Sequence, residues 1–193
     1  MQKPVIIVLG PSGSGKGTQV KLLEKKFGLN YVGSGKLLRE RMAVKDFTGQ
    51  KINEAVNKKG FLAPTSIIFK LWVDEFEKIK NKGGFKGLVM DGCPRKILEA
   101  RLVDEALEWY EWDKNVKVFW IDIPQKEAIR RLMKRKRPDD SLAGIKKRLN
   151  WFETEDRQTI RYYQKTRKVI KINGEQSPEK VFQDIMKNLT WPN

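Results

Sequence analysis

Four short, nearly unbroken apolar runs stand out along the chain, and longer stretches with a helical repeat separate them. The runs are "VIIVLG" (5–10), "GLVMD" (87–91), "VKVFWIDI" (116–123) and "KVIKIN" (168–173), with a weaker one, "LNYVG", at 29–33. A strand that is apolar throughout, rather than at alternate positions, is buried on both faces. Such strands belong to a parallel sheet covered by helices on both sides. The helical pattern falls at roughly 15–27, 64–82, 95–109, 124–135, 140–164 and 178–189. In the stretch over 140–164, Leu142, Ile145, Leu149 and Phe152 recur at helical spacing and form one apolar stripe. Arg148 lies beside that stripe, and the adjacent Trp151 reads as packing rather than as a platform for a base. Residues 34–62 are polar and helical, with Gly49 and Gly60 as punctuation, and read as a small insertion after the second strand. There is no internal repeat, low-complexity tract or linker, so the pattern predicts one α/β domain over residues 1–193.

Composition narrows the chemistry more than the fold. The formal net charge is +16, which favours anionic partners: nucleotides, nucleic acid or an acidic membrane surface. The excess is uneven, because residues 126–171 hold sixteen Lys and Arg against six Asp and Glu. The chain has no His, which removes the usual general base and the commonest zinc ligand. Its single cysteine, Cys93, excludes an internal disulfide and fits a reducing compartment. The opening "MQKPVIIVLG" carries too short an apolar run for a signal peptide, and no segment approaches the ~20 apolar residues of a membrane span. A cytoplasmic protein is expected.

The segment "GPSGSGKGTQ" (10–19) follows the first strand and opens the first helix. Gly10, Gly13 and Gly15 allow a tight turn whose N–H groups converge on one anion, and Ser12, Ser14 and Gly17 lie in the same loop. The helix N-terminus adds partial positive charge, and Lys16 can reach terminal phosphate oxygens. In the common pattern a hydroxyl for Mg²⁺ follows the lysine directly. Here Gly17 intervenes, so either Thr18 supplies the hydroxyl or Gly17 leaves room for a water. A Gly/Ser turn of no function is the bland alternative, and the strand–loop–helix context argues against it. "GLVMD" ends a strand on Asp91, where an aspartate can hold Mg²⁺ or its waters beside a phosphate loop. Both features would fall at the carboxyl ends of strands, where open α/β sheets bind ligands.

Taken in order, the motifs resemble the nucleoside monophosphate kinases of the adenylate kinase family over nearly the full chain. "GPSGSGKGTQ" is similar to their phosphate loop, and "VGSGKLLRE" (32–40) and "GFLAPTSII" (60–68) to two of their acceptor-side segments. "DGCPRKILEA" (91–100), "RKRPDD" (135–140) and "IKKRL" (145–149) are similar to their central aspartate segment, lid and arginine helix. The resemblance implies a P-loop fold: a five-stranded parallel sheet, an acceptor-binding insertion at about 34–62 and a very short lid at about 131–140. It implies reversible transfer of the γ-phosphoryl group of Mg·ATP to a nucleoside monophosphate, with Mg²⁺ at Thr18 and Asp91, directly or through water. By motif position, Ser34, Arg39, Gly92, Arg95 and Glu99 would bind the acceptor. Arg131 would lie over the donor base. Arg135, Arg137 and Arg148 would close on the transferring phosphate with Lys16 and Arg95, while Asp139 and Asp140 orient them. The partners implied are ATP and a monophosphate, not nucleic acid or membrane, and the enzyme would be a monomer. Phosphoryl transfer asks mainly for positioning and positive charge, so a chain without His suits it.

Departures from the family pattern cluster near the acceptor base: Lys36, Ala63, Cys93, Lys96 and Glu99 replace other residues there. Only Lys136 separates Arg135 from Arg137, which leaves no room for a lid hairpin or a structural zinc site. AMP is the acceptor that the motif set favours, UMP or CMP the nearest rival. A carboxylate at Glu99 would suit the two donors of guanine. The other readings are a different P-loop kinase, or a P-loop nucleic-acid-binding protein suggested by the charge and the six Trp.

Overall fold

The structure, a computed structural model, describes residues 3–58, 60–135, 141–167 and 169–189. Five strands form one parallel sheet: β1 (Val5–Leu9), β2 (Asn30–Gly33), β3 (Leu88–Asp91), β4 (Val116–Asp122) and β5 (Val169–Asn173). Their order is β2-β3-β1-β4-β5, which is the P-loop arrangement with the phosphate loop leaving the central strand. The order reverses beside β1, and a crevice opens there at the carboxyl ends of the strands.

The all-apolar strands have the physical cause expected of them. Every residue of β1 is fully buried, and successive side chains enter opposite layers. Val5, Ile7 and Leu9 pack with Trp72, Phe76, Leu107 and Tyr163 on one face. Ile6 and Val8 pack with Val20, Leu23, Phe119 and Ile185 on the other. Full burial of each such aliphatic side chain contributes about 1.5–3 kcal/mol, so the central strand is anchored from both sides.

The helices are α1 (Lys16–Phe27), α2 (Ser34–Ala43), α3 (Phe47–Asn53), α4 (Thr65–Lys82), α5 (Ile97–Trp109), α6 (Gln125–Arg135), α7 (Leu142–Trp151), α8 (Arg157–Thr166) and α9 (Pro178–Lys187). The polar stretch after β2 becomes α2, α3 and a π-helical turn over Glu54–Lys58. The helix expected over 140–164 differs in a way that matters below. A π-helical turn, Phe152–Asp156, separates α7 from α8 and so changes the phase of the apolar stripe. Ile145, Leu149 and Phe152 are buried as the stripe requires, whereas Leu142, at the first position of α7, is 49% exposed. No helix among the described residues is long and apolar enough to cross a membrane.

Candidate active site

The loop between β1 and α1 is held by its own backbone and by the elements beneath it. Ser14 N donates to Pro11 O at 3.1 Å, and Thr18 N and Gln19 N donate to Gly15 O at 3.0 and 3.2 Å. Gly10 has φ 142°, and a Cβ there would lie 2.2 Å from the carbonyl oxygen of Ile121 at the end of β4. Gly13 has φ 88° and sits against the Ala128 backbone of α6. Neither position admits a side chain, so the loop packs down onto β4 and α6. Helix α1 has no side-chain cap and no acidic residue in its first turn, which leaves its first N–H groups for an anion. Among the described residues the buried Ser14 hydroxyl, 2% exposed as a residue, has no hydrogen-bond partner, an orphaned donor in the same cradle.

Lys16 turns back across this loop. Its Nζ donates to Gly10 O at 2.6 Å and to Pro11 O at 2.8 Å. Burial lowers its pKa to about 8; the nearby Asp91 and Asp156 carboxylates oppose the shift, and Arg95 and Arg135 add to it. Asp91 ends β3 in register with Val8 of β1, and its Oδ2 lies 3.7 Å from where a Cβ on Gly17 would be. The carboxylate therefore faces the first turn of α1, which carries Thr18. Tyr31 of β2 donates its hydroxyl to Asp91 Oδ2 at 3.3 Å, and burial and Asp91 push that phenol's pKa up. Gly92 turns the chain at φ 59°, and a Cβ there would come within 3.3 Å of Lys16 Cε. Arg95 donates from Nε to Gly92 O at 3.2 Å, which holds its guanidinium over the same crevice.

Two comparisons fix what this crevice belongs to. The family model described as adenylate kinase matches residues 8–168, which is most of the chain and all of the site. The chain belongs to the adenylate kinase family. Among curated relatives, the adenylate kinase of Azobacteroides pseudotrichonymphae is 35% identical over 186 residues, covering 94% of this chain and 95% of that protein. Adenylate kinase isoenzyme 1 of Caenorhabditis elegans is 30% identical over 96% of this chain and 87% of its own length. The adenylate kinase of Bacteroides fragilis strain YCH46 is 32% identical, covering 94% of this chain and 96% of its own. Membership in this adenylate kinase family carries the reaction class, ATP:nucleoside monophosphate phosphotransfer.

Within the adenylate kinase frame the remaining side chains divide. Ser34 begins α2 and is buried, and Arg39 follows on the same helix with its Nη1 3.2 Å from where a Cβ on Gly35 would lie. Lys36 pairs with Glu40 at 3.8 Å and sits 5.9 Å from the Tyr31 ring centroid. Glu99, expected to meet the acceptor, is 4% exposed and turns inward. Its Oε2 accepts from the backbone N–H of Arg95 at 2.8 Å and of Lys96 at 3.3 Å, so it closes the N-terminus of α5. Lys96 Nζ lies 3.5 Å from Ala63 O, and Lys36 is at Glu40.

On α6, Arg131 and Arg130 both bond to Glu127, at 2.5 Å and 2.7 Å, and together they pull its pKa down to about 2. Arg135 ends α6, and its charge is felt at Lys16. Arg148 lies in the last turn of α7. Arg137, Asp139 and Asp140 lie outside the described residues.

The sequence reading missed two residues here. Tyr31 gave no signal, because nothing in a weak edge strand marks a phenol that will reach Asp91. Asp156 did leave a signal: it continues the stripe Ile145, Leu149, Phe152 by four more residues, which puts an acid where an apolar residue is due. It is 6% exposed, and burial raises its pKa to about 6 against the pull of Arg95 and Lys16.

Proposed function

We propose that the enzyme transfers the γ-phosphoryl group of ATP reversibly to AMP. The observation that carries this reading is the convergence of Lys16, Asp91 and Arg95 on one crevice beside a glycine-built anion cradle. The relatives' shared name, adenylate kinase, supports AMP as the acceptor.

In this reading Gly10, Ser12, Gly13, Ser14, Gly15, Gly17 and Thr18 wrap the donor phosphates with backbone N–H groups. Lys16 leaves its two carbonyl partners to meet them. Arg131 lies over the donor base. Ser34, Arg39, Gly92 and Arg95 hold the acceptor phosphate in line, and Arg135, Arg137 and Arg148 spread positive charge over the transferring oxygens. Planar guanidinium forks suit those oxygens better than ammonium groups. Residues 34–62 act as the acceptor flap and 131–140 as a minimal lid that excludes water. Among the described residues no group of three or more His, Cys, Asp or Glu could cage a metal. The donor set of one carboxylate, Asp91, beside one hydroxyl, Thr18, instead fits Mg²⁺, which keeps most of its water and takes phosphate oxygens. When bound, Mg²⁺ would neutralise charge developing on the phosphate oxygens. With Glu99 Oε2 taken up by two amides, the case for guanine at this position weakens. A cytoplasmic monomer completes the reading, and sedimentation of the purified protein checks the second term.

A panel of AMP, GMP, CMP and UMP assayed with Mg·ATP tests the acceptor. AMP should give the highest kcat/KM. Preference for UMP or CMP would move the enzyme to the pyrimidine branch. Polynucleotide binding that is far tighter than mononucleotide binding and falls steeply with salt would favour the nucleic-acid reading.

A further inference from the structure

Tyr31 and Gly33 lie two apart on the edge strand β2, so they share one face of the sheet. Parallel pairing sets Tyr31 opposite Val89, and Gly33 opposite Asp91 at the end of β3. The Tyr31 ring packs against the apolar cluster that holds Val8, Leu23 and Val89. From there it runs forward along its own strand. A Cβ on Gly33 would meet the phenol oxygen at 2.0 Å and the ring carbon Cζ at 2.5 Å. Gly33 is extended, at φ −136° and ψ 120°, a conformation open to any residue. Its backbone therefore does not call for glycine; the ring does. The missing side chain is the gap through which the hydroxyl donates to Asp91 Oδ2 at 3.3 Å. The same oxygen lies 3.7 Å from where a Cβ on Gly17 would be, so it stands between the phenol and the first turn of α1.

We propose that Tyr31 is a positioning residue for the metal of phosphoryl transfer: through the gap at Gly33, its hydroxyl holds the Asp91 carboxylate in the orientation that takes Mg²⁺ or a water of its shell. The inference rests on the kinase reading. Its physical cause is the softness of a carboxylate. The terminal torsion of an aspartate is broad, so a carboxylate at a strand end swings unless one oxygen is held. A phenol holds that oxygen without cancelling the charge that draws the cation, which a lysine or arginine would do. Partners of this kind orient metal ligands and set how tightly the metal is held. Tyr31 acts through Asp91 alone; no covalent bond changes and no proton moves.

The test is the affinity of Mn²⁺, which takes the same oxygen ligands as Mg²⁺, for ATP held by an excess of the full-length enzyme. Loss of the free ion's electron paramagnetic resonance signal reads the bound metal. Tyr31→Phe keeps the ring and loses the hydroxyl. It should weaken Mn²⁺ binding about tenfold, while ATP without metal binds as it does to the wild type. Gly33→Ala fills the gap, displaces the hydroxyl and should weaken Mn²⁺ by a similar factor. The double variant should lose no more than either single one, because both changes remove the same hydrogen bond. Should Tyr31→Phe not fold, Gly33→Ala decides alone by the same two affinities. Unchanged Mn²⁺ affinity in the folded variants overturns the inference while leaving the kinase reading intact. So does an equal loss of metal-free ATP binding, which marks a merely structural role, and so does an additive loss in the double variant. Failure of the folded wild type to bind ATP at all overturns both.

Discussion

The two sides of the crevice are built from different materials. In the proposed reading the donor phosphates meet backbone: a loop whose glycines lie against Ile121 and Ala128, an uncapped helix start and one lysine. In the same reading the acceptor and transfer side is side chain: Arg39, Arg95 and Arg135, carried on helices or on the turn before one, with Arg95 steadied by the Gly92 carbonyl. A backbone cradle tolerates no added atom but needs no particular side-chain charge. A side-chain cradle tolerates changes of bulk but depends on charge and fork geometry. The two should therefore fail in different ways when altered.

Gly10→Ala breaks the donor side most severely. Its Cβ would meet a backbone carbonyl at 2.2 Å with φ at 142°, so the loop or β4 must move. A loss of about 3 kcal/mol or more of stability is expected, read as a lower denaturation midpoint. An unshifted midpoint would mean that the loop is not clamped onto β4. Lys16→Ala should do the opposite: the fold holds, and kcat/KM falls by about two decades or more. Near-normal turnover would remove Lys16 from the transfer step. On the acceptor side, Arg39→Lys keeps the charge and loses the fork. The KM for the monophosphate should rise about tenfold while that for ATP stays put. Equal rises in both would place Arg39 outside the acceptor site. The smallest effect belongs to Glu99→Gln, which replaces a charged helix cap by a neutral one. A cost of about 0.5–1 kcal/mol in stability is expected, with the ratios among AMP, GMP, CMP and UMP unchanged. A change in those ratios would return Glu99 to the base.

The same division explains what could be read from the sequence. The strands were legible because burial on both faces leaves unbroken apolar runs, as in Val5–Leu9. The phosphate loop was legible because its glycines answer to backbone geometry, and backbone geometry is local. Side-chain partnerships are not local. Nothing in "DGCPRKILEA" says that Glu99 will turn onto the amides of Arg95 and Lys96 rather than toward a ligand. Nothing in "LNYVG" says that Tyr31 will cross to Asp91. The π-helical turn was invisible for a related reason: it moves the stripe by one residue, and a reading that assumes 3.6 residues per turn runs straight through it.

Phosphorus NMR of the purified enzyme supplied with Mg²⁺ and ADP alone tests the central claim most directly. Two ADP can become ATP and AMP only if one crevice accepts adenine nucleotides on both sides. The account predicts that ATP and AMP appear together in equal amounts, and that Lys16→Ala slows their appearance by about two decades. ADP that persists unchanged, while the same preparation phosphorylates UMP or CMP from ATP, would contradict it.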